Sequence, residues 1–190
     1  MTDTTQGVAD EALAASAARG DRAAFNALIG RHKEPLYRFV RRYVGQADDA
    51  YDVLQDSFIS AWTALHHYDP DRPFAPWLYR IAVNKCRDFG RRQAVRRALL
   101  RIVSVEPQYI SQSDSELVDT EAQAAERLHR LNRAIADLPA RYKEPLLLTA
   151  MEGRSHDEAA QILGLSRKAV EMRLYRARKH LREAMGESEG

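Results

Sequence analysis

The sequence predicts an all-α protein of two small helical domains, an N-terminal helical bundle and a C-terminal four-helix domain with a helix-turn-helix, joined by a flexible acidic linker. Three observations carry that prediction. Apolar residues recur at i, i+3, i+4 and i+7 in several long stretches; two N-cap signatures bracket a glycine between Ser155 and Ser166; and a carboxylate-rich polar stretch divides the chain. The expected divisions are residues 1–97, a linker over 98–120, and 121–186.

Residues 1–7 read as a frayed terminus. A short alanine-rich helix follows from Asp10 to Arg19, closed by Gly20. Asp21 caps a longer one in which Phe25, Leu28, Ile29, His32, Leu36, Phe39, Val40 and Tyr43 keep helical spacing, with His32 packed in the core. Pro35 removes a backbone donor, so a kink or restart is expected near Glu34. Asp48 or Asp49 starts the third helix, which turns Val53, Leu54, Phe58, Ala61 and Trp62 inward. Its other face presents Asp52, Gln55, Asp56 and Ile59, an aliphatic among carboxylates that suits docking on a basic partner helix.

Tyr68 to Pro73 is rich in turn formers and reads as a loop. The helix after it runs from about Phe74 to Arg97, with Phe74, Trp77, Leu78, Ile81, Ala82, Cys86 and Phe89 inward and Arg80, Asn84, Arg87 and Arg91 in an outward line. Tyr68, Phe74 and Tyr79 lie beside that line, where exposed rings would stack on unpaired bases. Past the linker, a helix from Glu121 carries Leu128, Leu131, Ile135 and Leu138. Pro139 starts the next one, which Pro145 should bend.

The helix-turn-helix follows. Ser155 and Glu158 form a capping box, Gly164 supplies a left-handed turn, and Ser166 caps the second helix. Val170, Leu174, Ala177 and Leu181 face inward. Arg167, Lys168, Glu171, Met172, Tyr175, Arg176 and Lys179 are left at the face or edge where a helix reads a major groove.

Charge is segregated. Seven basic residues oppose one acidic residue from Ser166 to Arg182 and again from Asn84 to Arg101, while 104–126 carries six carboxylates and no lysine or arginine. Two basic faces on separate domains imply simultaneous contact with two stretches of nucleic acid. The single cysteine, Cys86, cannot form an internal disulfide, and no secretory signal or long apolar run is visible, so a cytoplasmic protein without membrane insertion is expected. The histidines offer no metal-ligand spacing, and there is neither a phosphate-binding glycine loop nor a nucleophile with a base at motif spacing. No enzyme, metal or cofactor is expected.

Three blocks carry a family resemblance. Asp49-Ala50-Tyr51-Asp52-Val53-Leu54-Gln55-Asp56-Ser57-Phe58 with Ala61-Trp62 is the first. The second runs from Phe74-Ala75-Pro76-Trp77-Leu78-Tyr79-Arg80-Ile81-Ala82-Val83-Asn84 to Asp88 and Arg91-Arg92. The third comprises Leu138-Pro139, Gly153, Glu158-Ala159-Ala160, Leu163-Gly164-Leu165-Ser166, Val170 and Arg173-Leu174-Tyr175-Arg176-Ala177-Arg178. In order and separation they resemble the extracytoplasmic-function (group IV) sigma factors of bacterial RNA polymerase, within the sigma-70 family.

The resemblance implies an alternative sigma factor that binds core RNA polymerase, directs it to two-part promoters and is held in check by an anti-sigma factor. It implies that Asp52, Gln55, Asp56 and Ile59 dock on the clamp helices of the largest subunit, with the C-terminal domain at the flap region. Arg80, Asn84, Arg87 and Arg91 would engage the melted promoter element, and the Lys168 to Arg176 face the distant element as duplex. Tyr51, Lys168-Ala169 and Glu171-Met172 depart from the family pattern, so the promoter sequence does not follow from relatives. A sigma-like decoy for an anti-sigma factor would not need both basic faces, and a helix-turn-helix repressor would leave Asn84 to Arg101 unexplained.

Overall fold

The computed structural model describes residues 8–103 and 120–186, and among these the ordered elements are helical. The frayed terminus expected over residues 1–7 and the linker segment 104–119 lie outside the described residues. The N-terminal part contains α1 (Asp10–Ala18), α2 (Arg22–Val44), α3 (Ala47–Ala64), a 3₁₀ turn (Leu65–His67) and α4 (Phe74–Val103). The C-terminal part contains α5 (Thr120–Asp137), α6 (Ala140–Leu146), a π turn (Leu147–Met151), α7 (His156–Leu163) and α8 (Arg167–Met185).

Asp21 opens α2 by accepting from the N–H groups of Ala23 and Ala24 at 2.9 and 3.1 Å. Of the kink or restart expected near Glu34, the restart does not occur: α2 runs unbroken across Pro35. The proline costs one backbone hydrogen bond, and the buried Leu36, Phe39 and Val40 just beyond it hold the helix to the core. Gly45, at φ 95°, ends it in a conformation that side chains disfavour. The third helix begins earlier than Asp48. Gln46 precedes it without a side-chain cap, and Asp48 and Asp49 lie in its first turn, where carboxylates favour the positive end of the helix dipole.

Trp62, expected inside, is 37% exposed and leans on Phe25 with ring centroids 4.9 Å apart. His32 packs at 5.4 Å from the Phe74 ring, and its Nε2 meets Asp10 at 2.7 Å. Asp10 also accepts from Arg31 at 2.6 Å, so α1 is fastened to α2 by one carboxylate. The neighbouring Glu11 accepts from the Phe74 N–H at 3.1 Å, capping α4 from the other end of the domain. That helix continues past Arg97 to Val103, since Ala98 to Val103 contains neither glycine nor proline to stop it.

In the C-terminal part, Leu128 is 58% exposed, whereas Ile135 and Leu138 are buried. Pro145 falls near the end of α6, and the backbone responds by widening into the π turn, with Glu152 N–H donating to Leu147 O at 3.1 Å. The Thr149 hydroxyl donates to Pro145 O at 2.8 Å across it. The capping box of α7 is formed in full: Ser155 Oγ accepts from Glu158 N–H at 3.2 Å, and Glu158 Oε2 accepts from Ser155 N–H at 2.9 Å. Gly164 takes the left-handed conformation at φ 67°, and Leu165 N–H returns to Ala160 O at 2.9 Å. Ser166 then caps α8, whose Val170, Leu174 and Ala177 are buried.

One hydrophobic core runs through both parts, from Leu28, Phe39 and Tyr79 to Leu147, Ile162 and Leu174. They meet where α7 packs on α4 and where α5 and the π turn pack on α2.

Removing the cap oxygen in Ser155→Ala should cost about 1 kcal/mol of unfolding free energy, measured by urea denaturation. The hydrogen bond from Ser155 N–H, more than the other contacts, holds the Glu158 carboxyl below its ordinary value, so its share of stability is present above that value and lost as pH falls through the lowered one. The variant keeps that backbone bond but loses the one that Ser155 Oγ donates to Glu158 Oε2 at 2.9 Å, which also lowers the carboxyl, so its deficit should shrink below about pH 4. A deficit near zero at neutral pH would contradict the capping account.

Candidate functional site

Three surfaces hold the residues that the sequence singled out. On α3, Asp52, Gln55 and Asp56 are exposed and Ile59 is 63% exposed, while Val53, Leu54, Ser57 and Phe58 between them are buried. The helical period alone produces this division. Beside the stripe a groove of about 390 Å³ runs between α3 and α4, with Asp49, Asp52 and Asp56 on one wall and Arg92 and Arg96 on the other. Tyr51 stacks on Tyr37 at 4.6 Å, closing the stripe on the α2 side.

On α8, Arg167, Lys168, Glu171, Met172, Tyr175, Arg176 and Lys179 are all exposed, as the helical spacing predicted. Two of them are tied to α7. Arg167 donates to Asp157 at 3.0 Å and to Glu171 at 3.1 Å, and His156 Nδ1 lies 3.5 Å from the same Glu171 oxygen. The Arg167 hydrogen bond, then that of His156, keeps the Glu171 carboxyl below its usual value. Arg176 of α8, more than Arg141, lowers the Tyr142 hydroxyl of α6 from the ordinary tyrosine value, and Arg141 lies 4.7 Å over that ring. These contacts orient the charged face before any partner arrives.

The line on α4 differs most from expectation. Arg80, Asn84, Arg87 and Arg91 do share one side of the helix, but they do not all point to solvent. Arg87 is directed into the C-terminal domain and grips Glu144 of α6 with two bonds, Nε to Oε1 at 2.7 Å and Nη2 to Oε2 at 2.6 Å. The Glu144 side chain is only 2% exposed. Its Oε1 also accepts from the Tyr43 hydroxyl of α2 at 3.2 Å. Burial and the Glu144 charge push that phenol above the ordinary tyrosine value; the hydrogen bond that Arg87 donates to Glu144 foremost raises Arg87. Lys143, also buried, donates to the carbonyls of Tyr43, at 3.3 Å, and Ala136, and burial lowers its affinity for the proton.

One turn before Asn84, Arg80 reaches the end of α7. Its Nε donates to Ile162 O at 3.4 Å and its Nη2 to Gln161 O, the carbonyls at the negative end of that helix. Arg80, despite these bonds, and Asn84 and Arg91 remain exposed, and Arg91 pairs locally with Asp88. Of the rings expected near single-stranded bases, Tyr68, Phe74 and Tyr79 are all buried. Phe74 packs edge-on to Tyr68 at 5.6 Å, and Tyr79 donates to Glu152 at 2.8 Å under the Arg154 guanidinium. Inward packing of α4 claims them before any ligand does.

Sequence reasoning passed over Glu144, Tyr43 and Glu152. The one available signal was Glu144 itself, three and four residues before the buried Leu147 and Leu148, a charge on an apolar face that must find a partner. Among the described residues no cluster of three metal-binding side chains occurs, and no helix is long and apolar enough to cross a membrane.

Comparison with known proteins spans the segments that carry the three surfaces. Residues 28–96 match the family described as sigma-70 region 2, and residues 121–181 that described as sigma-70, region 4. The chain is 40% identical over 181 residues to the RNA polymerase sigma factor NccH of Alcaligenes xylosoxydans xylosoxydans, covering 95% of each chain. It is 41% identical over 183 residues to the RNA polymerase sigma factor CnrH of Cupriavidus metallidurans, covering 91% of this chain and 92% of that one. The solved structure of CnrH in complex with the cytosolic domain of CnrY is similar at a TM-score of 0.70 and 36% identity, over 96% of this chain and 100% of that one.

Proposed function

The chain belongs to the sigma-70 family of RNA polymerase sigma factors, in its extracytoplasmic-function class, and we propose that its three surfaces divide promoter recognition among themselves. As an alternative sigma factor it directs core RNA polymerase to promoters. In our reading residues 1–97 dock on the polymerase and engage the melted element, 98–120 link the domains, and 121–186 read the distant element. Asp52, Gln55, Asp56 and Ile59 meet the clamp helices: the carboxylates are steered by a basic partner helix, and Ile59 is the one apolar group exposed enough to be buried there.

The exposed face of α8 enters the major groove of the distant element. Arg167, Lys168, Glu171 and Met172, on its first turns, reach base edges. Tyr175, Arg176 and Lys179 hold the backbone, with the C-terminal domain at the polymerase flap. Arg80, Asn84, Arg87 and Arg91 take the melted strand. The protein works without catalysis of its own, in the cytoplasm where its template lies. Because CnrH is solved with the cytosolic domain of CnrY, we assign this chain a protein antagonist of the anti-sigma kind. The observation that carries the reading is the coexistence of an acidic docking stripe with two basic faces on separate domains, more than a repressor or a decoy requires.

Asp56→Arg should lower affinity for core polymerase at least about tenfold with helix content unchanged, read by fluorescence anisotropy and circular dichroism. Core binding at the wild-type level would remove the stripe from the docking surface. Arg176→Ala should weaken binding of the holoenzyme to its promoter duplexes and reduce the slope of log affinity against log salt by about one. An unchanged slope and affinity would mean that this face of α8 does not carry the duplex.

A further inference from the structure

The face of α8 assigned to the duplex is charged along most of its length and apolar at its centre. Met172 and Tyr175, three residues apart and so neighbours on the helix, are 49% and 57% exposed. Val170, Leu174 and Ala177 take the opposite side into the core, which leaves Met172 directed away from it. Lys168 and Arg176 stand one turn before and one turn after Met172 on the same line. Glu171 does not share this centre. Its Oε1 receives Arg167 Nε at 3.1 Å and lies 3.5 Å from His156 Nδ1, so the carboxylate is held toward α7. Asp157, at 3.0 Å, holds the Arg167 guanidinium there too. An exposed apolar pair rimmed by charge marks a contact surface.

What such a centre recognises follows from the chemistry of the base edges. A methionine side chain has no hydrogen-bond donor and only a weak thioether acceptor. Against guanine it would bury the N7 and O6 acceptors unpaired, against adenine N7 and the N6 amino group, and against cytosine the N4 amino group, each with its hydration lost. Thymine alone presents an apolar group in the major groove, its 5-methyl. The unbranched methionine, with three rotatable bonds, settles on that methyl without exact placement of the backbone. The Tyr175 ring widens the apolar patch.

We propose that Met172 is a specificity-determining residue for the distant promoter element: it packs on the 5-methyl group of a thymine, so the duplexes this protein prefers carry a T·A pair at the one position that faces the second turn of α8. Lys168 and Arg176, which only donate, suit guanine acceptors or phosphates on either side and place no demand on the methyl. The proposal rests on the reading of α8 as the duplex contact.

The test uses holoenzyme made from the full chain and core polymerase. Duplex fragments randomised upstream of a transcription start are selected for binding and sequenced. Each thymine of the selected distant element, on either strand, is then replaced by deoxyuridine, which removes only the methyl. In wild type one such replacement should lower affinity about fourfold, the worth of one buried methyl group. In Met172→Ala the same replacement should cost less than about twofold. Met172→Gln keeps the length and supplies an amide that pairs with N6 and N7 of adenine, so selection with it should return adenine in place of thymine at that position only. Circular dichroism at 222 nm checks that these surface variants keep their helices. The proposal is overturned if no thymine of the element shows the loss in wild type, if the loss persists in Met172→Ala, or if Met172→Gln still selects thymine. Lys168→Ala and Arg176→Ala separate the two claims. If either weakens binding while the deoxyuridine penalties ignore residue 172, the duplex reading stands and the role of Met172 falls. If these two variants and Met172→Ala all bind the selected element as wild type does, the duplex reading itself fails.

Discussion

The Arg87–Glu144 pair is the constraint on which the arrangement of this protein depends. A carboxylate with 2% of its side chain exposed cannot remain charged at reasonable cost unless it is paired and hydrogen-bonded. Glu144 obtains two bonds from Arg87 and a third from Tyr43, both in the other domain. The C-terminal domain therefore cannot bury this residue on its own. Docked, it gains a continuous core; apart, Glu144 returns to water. The pair adds little to stability beyond what apolar contact supplies, but it fixes the register in which the two domains meet.

That register sets which functional surfaces are open. The α3 stripe and the α8 face stay exposed, while the α4 line lies along the seam, with Arg87 drawn into it and Arg80 bonded to it from an exposed position. The face we assign to duplex and the line we assign to the melted strand are thus treated differently by one packing event.

Local chemistry and long-range packing were legible to different degrees. The helix-turn-helix is encoded within a few residues. Ser155, Glu158, Gly164 and Ser166 each act on the backbone next to them, and the turn formed as their types required. The exposure of Asp52, Gln55, Asp56 and Ile59 followed from period alone. Contacts made across the chain left no such trace. Glu11 caps α4 from 63 residues away, and Glu144 meets Arg87 across 57; no spacing rule connects such positions. Tyr68, Phe74 and Tyr79 failed as base-stacking candidates because a ring near a functional line is also near a core, and burial of apolar area won. Trp62 went the other way: at the end of α3 it covers Phe25 from outside. Pro35 illustrates a third case, in which a propensity cost is smaller than the burial on either side of it.

The most direct measurement is the distance between the domains by single-molecule energy transfer, with dyes on cysteines introduced at the exposed Thr63 of α3 and Ala184 of α8. Cys86 does not compete for label, since it is buried and burial pushes its thiol well above the reactive range. The account predicts one short distance in the free chain, and a long one when core polymerase and a premelted promoter are both bound. A free chain already spread to the long distance, or an open complex that keeps the short one, would contradict it.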